Sequence, residues 1–453
     1  MKKALVIFGS TGNLMYKKLI PAIYHLIQQG HIGEDFMVYA VARRNQSFDD
    51  YIKEAKNQVK ISIDWTHFKQ YINYRVLNVD NIDDYRRLND EIVNKSYNDV
   101  SIYLATPPTL FPLISKGISQ SGFIKKGEKQ KRIVFEKPFG EDLESAQSIN
   151  KELWKYFDES QIYRIDHYLG KEMIQNILVV RFANIIFEQS WDYRSIQAIT
   201  ILAKEEEGVL SRGGYYDKIG ALKDMLQSHL LQMAALILMD KPKEMTSDLI
   251  KDEKVKIFQS MTFDQKDMLL GQYKGYTDSE KVDRNSSTET FVYAKAYVQN
   301  QRWHNVPIHF LTGKKLNEKR SEIIIHFKDN HDLNLLFPQS SKVENKLVIK
   351  VSPKEGVEFK FNVKEPGLTN NIHPAILDYC HNCKALENTP EAYERLFMEL
   401  LNDQPTLFTR WDEIEKTWEL VKSMKSDSQP IVYNSYEDLL NILEKKEVLI
   451  DDL

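Results

Sequence analysis

The sequence predicts an α/β amino-terminal half followed by a larger half of α+β character built on a mostly antiparallel sheet. Three observations carry this. A short apolar run, Lys3–Phe8, stops at Gly9-Ser10-Thr11-Gly12 and gives way to Leu14, Leu19, Ile23, Leu26 and Ile27 at helical spacing. Further β-forming runs alternate with helical segments to about residue 165, the pattern of a parallel sheet covered by helices on both faces. Between residues 288 and 363 the runs are alternating or β-rich, and most links are too short for crossover helices, so antiparallel pairing is expected there.

Each element has its own signal. Gly30 and Gly33 end the first helix. Residues 37–42 read as the second strand, followed by a polar segment that opens with Arg43-Arg44. Residues 74–79 read as the third strand, 99–105 as the fourth, stopped by Pro107-Pro108, and 132–136 as the fifth, stopped by Pro138. Residues 171–180 look helical, 196–203 alternate as a strand, and 218–239 read as one long helix. Strands follow at 290–297, 308–311, 322–327, 346–351 and 358–363. Residues 273–287 are polar and read as a surface loop, and the chain from Pro390 on is again helical. This divides the chain into domains 1–165 and 166–453.

Composition limits the partners. The 453 residues carry 61 Lys and Arg against 65 Asp and Glu, a formal net charge of −4, so no global basic field exists to bind nucleic acid. No apolar run approaches the roughly 20 residues of a membrane span. Residues 4–8 are too short an apolar core for a signal peptide, which needs about 7–15, leaving the cytoplasm as the expected compartment. The 23 Tyr, 21 Phe and 6 Trp supply folded cores. Two cysteines exclude a disulfide framework.

The turn Gly9-Ser10-Thr11-Gly12-Asn13-Leu14 lies where a Rossmann-type domain puts its diphosphate. Glycine permits a tight turn and close backbone approach, and the helix N-terminus offers N–H groups and partial positive charge. Only two of the usual three glycines are present, so position between strand and helix carries the assignment. At the end of the second strand an acid would suit the ribose hydroxyl of NAD. Arg43 and Arg44 stand there instead, which favours the 2′-phosphate of NADP, with NAD still possible.

Within residues 163–172, Tyr-Arg-Ile-Asp-His-Tyr-Leu-Gly-Lys-Glu, the six positions 166–171 gather an acid, an imidazole, a phenol and an ammonium. This string resembles the active-site signature of the glucose-6-phosphate dehydrogenase family. The likeness extends through Lys17-Lys18-Leu19, Glu136-Lys137-Pro138-Phe139-Gly140, Arg181-Phe182-Ala183-Asn184, Arg212-Gly213-Gly214-Tyr215-Tyr216-Asp217, Asp224-Met225-Leu226-Gln227-Ser228-His229, Arg302-Trp303 and Gly313-Lys314, spanning residues 4 to 330.

The resemblance implies oxidation of glucose 6-phosphate at C1 with hydride passing to NADP, the first oxidative step of the pentose phosphate pathway. It implies His229 as the base, a fitting role for an imidazole whose ordinary pKa lies near 6.5, and Asp166 as the acceptor of its other N–H. It implies His167, Tyr168 and Lys171 as holders of the 6-phosphate, and Glu205 and Asp224 as acceptors for sugar hydroxyls. Lys314, Lys319, Lys18 and Lys137 are the further substrate-side lysines. The cofactor side takes residues 9–14, Arg43, Asn78, Val79, Lys137 and Pro138, with a cis bond before Pro138. No metal is implied, and a homodimer or larger homo-oligomer is expected. Other readings are a dehydrogenase of another hexose 6-phosphate, an NAD-preferring enzyme, or a non-catalytic nucleotide-binding paralogue.

Several residues depart from the family pattern. Asn13 replaces an Asp but can still cap a helix, and Met15 stands where a small residue is common. Ser228 replaces an Asn before His229. Glu205, Glu206 and Glu207 run together, so the sugar-binding glutamate has near rivals. The likeness thins after about residue 365. Asp224 precedes His229 by five residues, so a regular α-helix would not align them and a distortion is needed. Cys380 and Cys383 have C-x-x-C spacing without further ligands and are expected as reduced thiols.

Overall fold

Six parallel strands form the first sheet: β1 (Lys3–Phe8), β2 (Phe36–Ala42), β3 (Ile72–Val76), β4 (Asp99–Leu104), β5 (Lys131–Phe135) and β6 (Ile162–Ile165). The computed structural model describes residues 2–329, 345–368, 370–381, 391–424 and 429–445. The strand order is β6-β5-β4-β1-β2-β3, so the chain reverses direction of travel between β1 and β4. Such strands are covered on both faces, which is why Leu5, Val6 and Ile7 are all fully buried. Helices Ile20–Gln28, Phe48–Gln58, Ile82–Asn94, Phe111–Gln120 and Leu143–Tyr156 connect them. Ser47, Asn81 and Asp142 each cap a helix start through the side-chain oxygen.

Two compact units result. The first comprises Met1–Lys171, Glu244–Lys251 and Pro390–Glu415. Its distant segment supplies helix Ala392–Leu401 and a two-residue strand, β15 (Phe408–Thr409), which extends the sheet antiparallel to β6. The third strand starts and stops earlier than expected, ending at Val76, so Asn78 and Val79 lie in the loop after it.

The second unit comprises Glu172–Lys243, Asp252–Thr389 and Lys416–Leu453. Its sheet holds β7 (Ile196–Lys204), β8 (Met261–Tyr273), β9 (Phe291–Val298), β10 (Ile308–Gly313), β11 (Arg320–Phe327), β12 (Lys346–Ser352), β13 (Gly356–Lys364), β14 (Ile372–Cys380) and β16 (Ile431–Tyr433). They run in the order β14-β13-β12-β11-β7-β10-β9-β8-β16. Pairing is antiparallel except at β7–β10 and β8–β16, where long intervening stretches allow a crossover.

The long helix expected over 218–239 is two elements: a π-helix, Leu222–Leu230, and an α-helix, Leu231–Leu238. No helix among the described residues is long and apolar enough to cross a membrane. Cys380 ends β14 and is disulfide-bonded, not the reduced thiol expected, while Cys383 lies outside the described residues.

Candidate active site

The first unit carries the phosphate-cradling turn. Gly9 follows β1 with φ +81°, and a Cβ there would lie 2.4 Å from the Ala105 carbonyl oxygen beyond β4. Gly9 and Ser10 donate their N–H groups to Val41 O, and Gly12 donates to Gly9 O at 3.0 Å, closing the turn. The helix that follows opens at Asn13 but widens to a π-helix over Met15–Leu19, with Ile20 N–H bonded to Met15 O. Pro21 explains the widening, because its ring would press on the carbonyl of Lys17 in a regular helix. Met15 is fully buried, so its bulk enters the core. Asn13 is exposed inside the helix, and the capping bond expected of it is not found.

The two arginines after β2 have different fates. Arg44 makes a two-pronged contact with Glu54, at 2.7 and 2.8 Å. Arg43 is exposed, and among the described residues no acid pairs with it. Asn78 is fastened locally, its N–H to Asp84 at 2.8 Å, and the Val79 carbonyl accepts from Tyr85 at 3.1 Å.

Lys137-Pro138 is a cis peptide. Beside it, Glu136 accepts hydrogen bonds from the hydroxyls of Tyr103 and Tyr393, and burial holds its carboxyl above the usual range. Lys18 reaches Glu391 at 2.7 Å. In the signature, buried Asp166 accepts from Tyr168 N–H at 3.0 Å, a local turn that folds the following residues back. The Lys171 ammonium lies 3.8 Å from the centre of the Tyr168 ring, and the His167 ring meets Tyr168 edge-on at 5.2 Å. His167, Tyr168 and Lys171 thus form one patch of imidazole, phenol and ammonium. Arg164 is buried and bonded to Glu159 and Asn150, a structural role.

The second unit carries the other half. Parallel pairing sets Gly313 of β10 beside Lys204 of β7, which brings together the residues just past both strand ends. Lys314 accordingly forms an ion pair with Glu205, while Glu206 and Glu207 are exposed. The Lys314 ammonium also sits 5.1 Å from the Tyr216 ring centre. Burial, together with the carboxylates of Asp224, Glu289 and Glu205, pushes the Tyr216 phenol well above its ordinary value. Asp224 and buried His229 share the π-helix, the distortion that their spacing required. Lys319 is exposed, and no described bond joins it to the Glu205–Lys314 pair. Glu289, Glu391 and Tyr393 stand in no motif of the sequence, and Tyr216 enters only within the string at 212–217 with no role of its own. Glu289 has a faint signal, a charged residue immediately before an apolar strand.

Family models described as the NAD binding domain and the C-terminal domain of glucose-6-phosphate dehydrogenase match residues 6–176 and 178–440. The chain belongs to the glucose-6-phosphate dehydrogenase family. The family match continues well past residue 365, where the sequence likeness was expected to thin. The glucose-6-phosphate 1-dehydrogenase of Bacillus subtilis (strain 168) is 41% identical over 446 residues, covering 93% of this chain and 91% of that protein. That of Borreliella burgdorferi is 36% identical, covering 97% and 96%. A solved structure described as glucose-6-phosphate dehydrogenase in complex with its substrate glucose-6-phosphate superposes with TM-score 0.89 at 31% identity, covering 98% and 97%. The glucose-6-phosphate 1-dehydrogenase of Mycobacterium avium gives TM-score 0.86 at 31% identity, covering 96% and 94%.

Proposed function

We propose that this protein oxidises D-glucose 6-phosphate at C1 to 6-phosphogluconolactone, with NADP as acceptor, in the first oxidative step of the pentose phosphate pathway. The patch of His167, Tyr168 and Lys171 carries the reading, because imidazole, phenol and ammonium donors in one place suit a phosphate dianion. Family membership supplies the sugar. The division at 165/166 expected from sequence is kept for the nucleotide half, residues 1–165, while of residues 166–453 the segments 166–171, 244–251 and 390–415 fall in the first unit and the rest serves the sugar and subunit contact.

The first turn fits a dinucleotide, since Gly9 leaves room that a Cβ would fill. Residues 9–14 with Asn78, Val79, Lys137 and Pro138 would hold it, and Arg43 would face the 2′-phosphate. When bound, NADP accepts the hydride released from C1. His229 takes the O1 proton as the C1–O1 double bond forms, and Asp166 is the carboxylate assigned to orient the imidazole and stabilise its charged form. Glu205 and Asp224 accept from sugar hydroxyls. Lys314, held by Glu205, keeps a positive charge beside them. Lys18, Lys137 and Lys319 complete the substrate-side set by family likeness.

The protein is read as cytoplasmic and homo-oligomeric, without nucleic-acid or membrane partners. Support for a second copy comes from β14, where Ile376, Leu377 and Tyr379 are more than half exposed. One observation favours NAD as a second acceptor: the Arg44 guanidinium is engaged by Glu54, leaving one arginine for a 2′-phosphate. The test is nicotinamide reduction, followed by absorbance, with glucose 6-phosphate and either NADP or NAD. Faster turnover with NADP is expected, and no reduction of either by folded protein would end the enzyme reading.

A further inference from the structure

Glu289 lies outside every motif that the function absorbs, yet it holds the start of the π-helix in the second unit. Its Oε1 accepts the N–H of Leu222, the first residue of the π-helix, at 3.0 Å. Its backbone carbonyl accepts the N–H of Ala221, also at 3.0 Å. One residue therefore takes up two successive donors at the start of the helix that carries Asp224 and His229. Helix starts leave such donors unsatisfied unless something caps them, and a carboxylate also complements the helix dipole. The cap usually comes from the residue just before the helix. Here Gly220 and Ala221 open the helix and neither has a side chain that can cap it, so a residue from the approach to β9 does.

Gly220 is the counterpart of this arrangement. It has φ +69°, and a Cβ on it would fall 2.3 Å from Glu289 Oε1. The carboxylate occupies the space that a side chain at 220 would need. On the other side, Thr290 continues the link. Its carbonyl accepts the N–H of Lys314 at 2.9 Å, and its hydroxyl shares a 3.1 Å hydrogen bond with Tyr433, whose hydroxyl also reaches Lys314 O at 2.5 Å. Two adjacent residues, Glu289 and Thr290, thus tie the helix of Asp224 and His229 to the strand end of Lys314.

We propose that Glu289 is a positioning residue that sets the register between Asp224 and His229 on the π-helix and Lys314 beyond β10. This rests on the reading of those three residues as substrate-side groups. The role is geometric: what matters is an acceptor oxygen at the right reach, and charge is secondary.

Two variants separate reach from charge. E289D keeps the carboxylate but shortens its reach by a methylene, and E289Q keeps the reach and an acceptor oxygen but loses the charge. In steady-state assays E289D should raise KM for glucose 6-phosphate about tenfold or more, with KM for NADP unchanged. E289Q should stay within about threefold of the parent on both. Equal losses in the two variants, an E289D enzyme with parental KM, or a matching rise in KM for NADP would each overturn the proposal. Amide hydrogen exchange across residues 222–230 gives a readout that needs no turnover. Faster exchange in E289D, with the parental rate in E289Q, is expected, and unchanged exchange in both would overturn the anchor. If the parent protein reduced neither nicotinamide, the reaction would fall, and exchange alone would decide the anchor.

Discussion

Asp224 and His229 share one π-helix, Leu222–Leu230, at positions five apart. In a regular α-helix the later residue would lie about 140° around the axis from the earlier one. The π-helix Leu222–Leu230 narrows that offset, because its hydrogen bonds run over five residues, as from Leu231 N–H to Leu226 O. A carboxylate and an imidazole are thereby carried closer in direction on a single element.

The two residues should separate kinetically. His229→Asn removes the proton acceptor but keeps a polar side chain of similar reach. It is expected to lower kcat by roughly 10²–10⁴ with little change in KM for glucose 6-phosphate. Asp224→Ala removes binding to a hydroxyl and should act chiefly by raising that KM. Steady-state kinetics of the two variants checks the division of labour, and an H229N enzyme of near-parental kcat would remove His229 as base.

Gly9→Ala tests the nucleotide turn. The substitution places a methyl group 2.4 Å from a backbone oxygen at a residue with φ +81°. The left-handed conformation alone costs about 1–2 kcal/mol for a residue with a Cβ, and the close approach adds to this. NADP affinity measured by fluorescence titration should fall at least about tenfold, and an affinity equal to the parent's would remove the turn as the diphosphate site.

The sequence made the parallel sheet legible because its strands are short apolar runs punctuated by Gly and Pro, as at Gly9 and Pro107. The signature patch was equally legible, since His167, Tyr168 and Lys171 lie within one turn of chain. What escaped follows from physics that local pattern does not record. The strand Met261–Tyr273 has Asp264, Lys266 and Asp267 in its middle, where its pairing with β9 slips, so apolar alternation is lost. The Glu205–Lys314 pair depends on β7 and β10 lying parallel, a choice made by the whole sheet. Both π-helices break the periodicity by which helices are read. Glu289 acts through the backbone of residues nearly seventy positions away, which no spacing rule anticipates.

Arg43 and Arg44 are neighbours with unequal roles. Arg44 is engaged by Glu54, so Arg43→Ala should weaken NADP binding by roughly 10–100-fold and NAD binding little. Arg44→Ala should affect both cofactors alike, through loss of the contact to Glu54. Binding constants for the two nucleotides check this, and equal losses in R43A would transfer the 2′-phosphate contact elsewhere.

The second unit should carry an acid-sensitive strand. His309 of β10 is buried, with its Nδ1 2.9 Å from the Tyr293 hydroxyl. Burial, then the charges of Lys295 and His326, push its imidazole down to about 4. An unfolded histidine titrates near 6.5, so between these values the unfolded chain binds a proton that the folded chain does not. Stability therefore falls as pH drops from above 6.5 toward 4, and levels off for this group below that. The loss between about pH 7 and pH 5 is on the order of 2 kcal/mol. His309→Gln keeps a polar partner for Tyr293 but cannot titrate. Carboxylates elsewhere contribute equally to both proteins, so the measured quantity is the difference between their denaturant midpoints across that range. The parent should lose more stability than H309Q on acidification, and parallel pH profiles would show that folding does not hold His309 neutral.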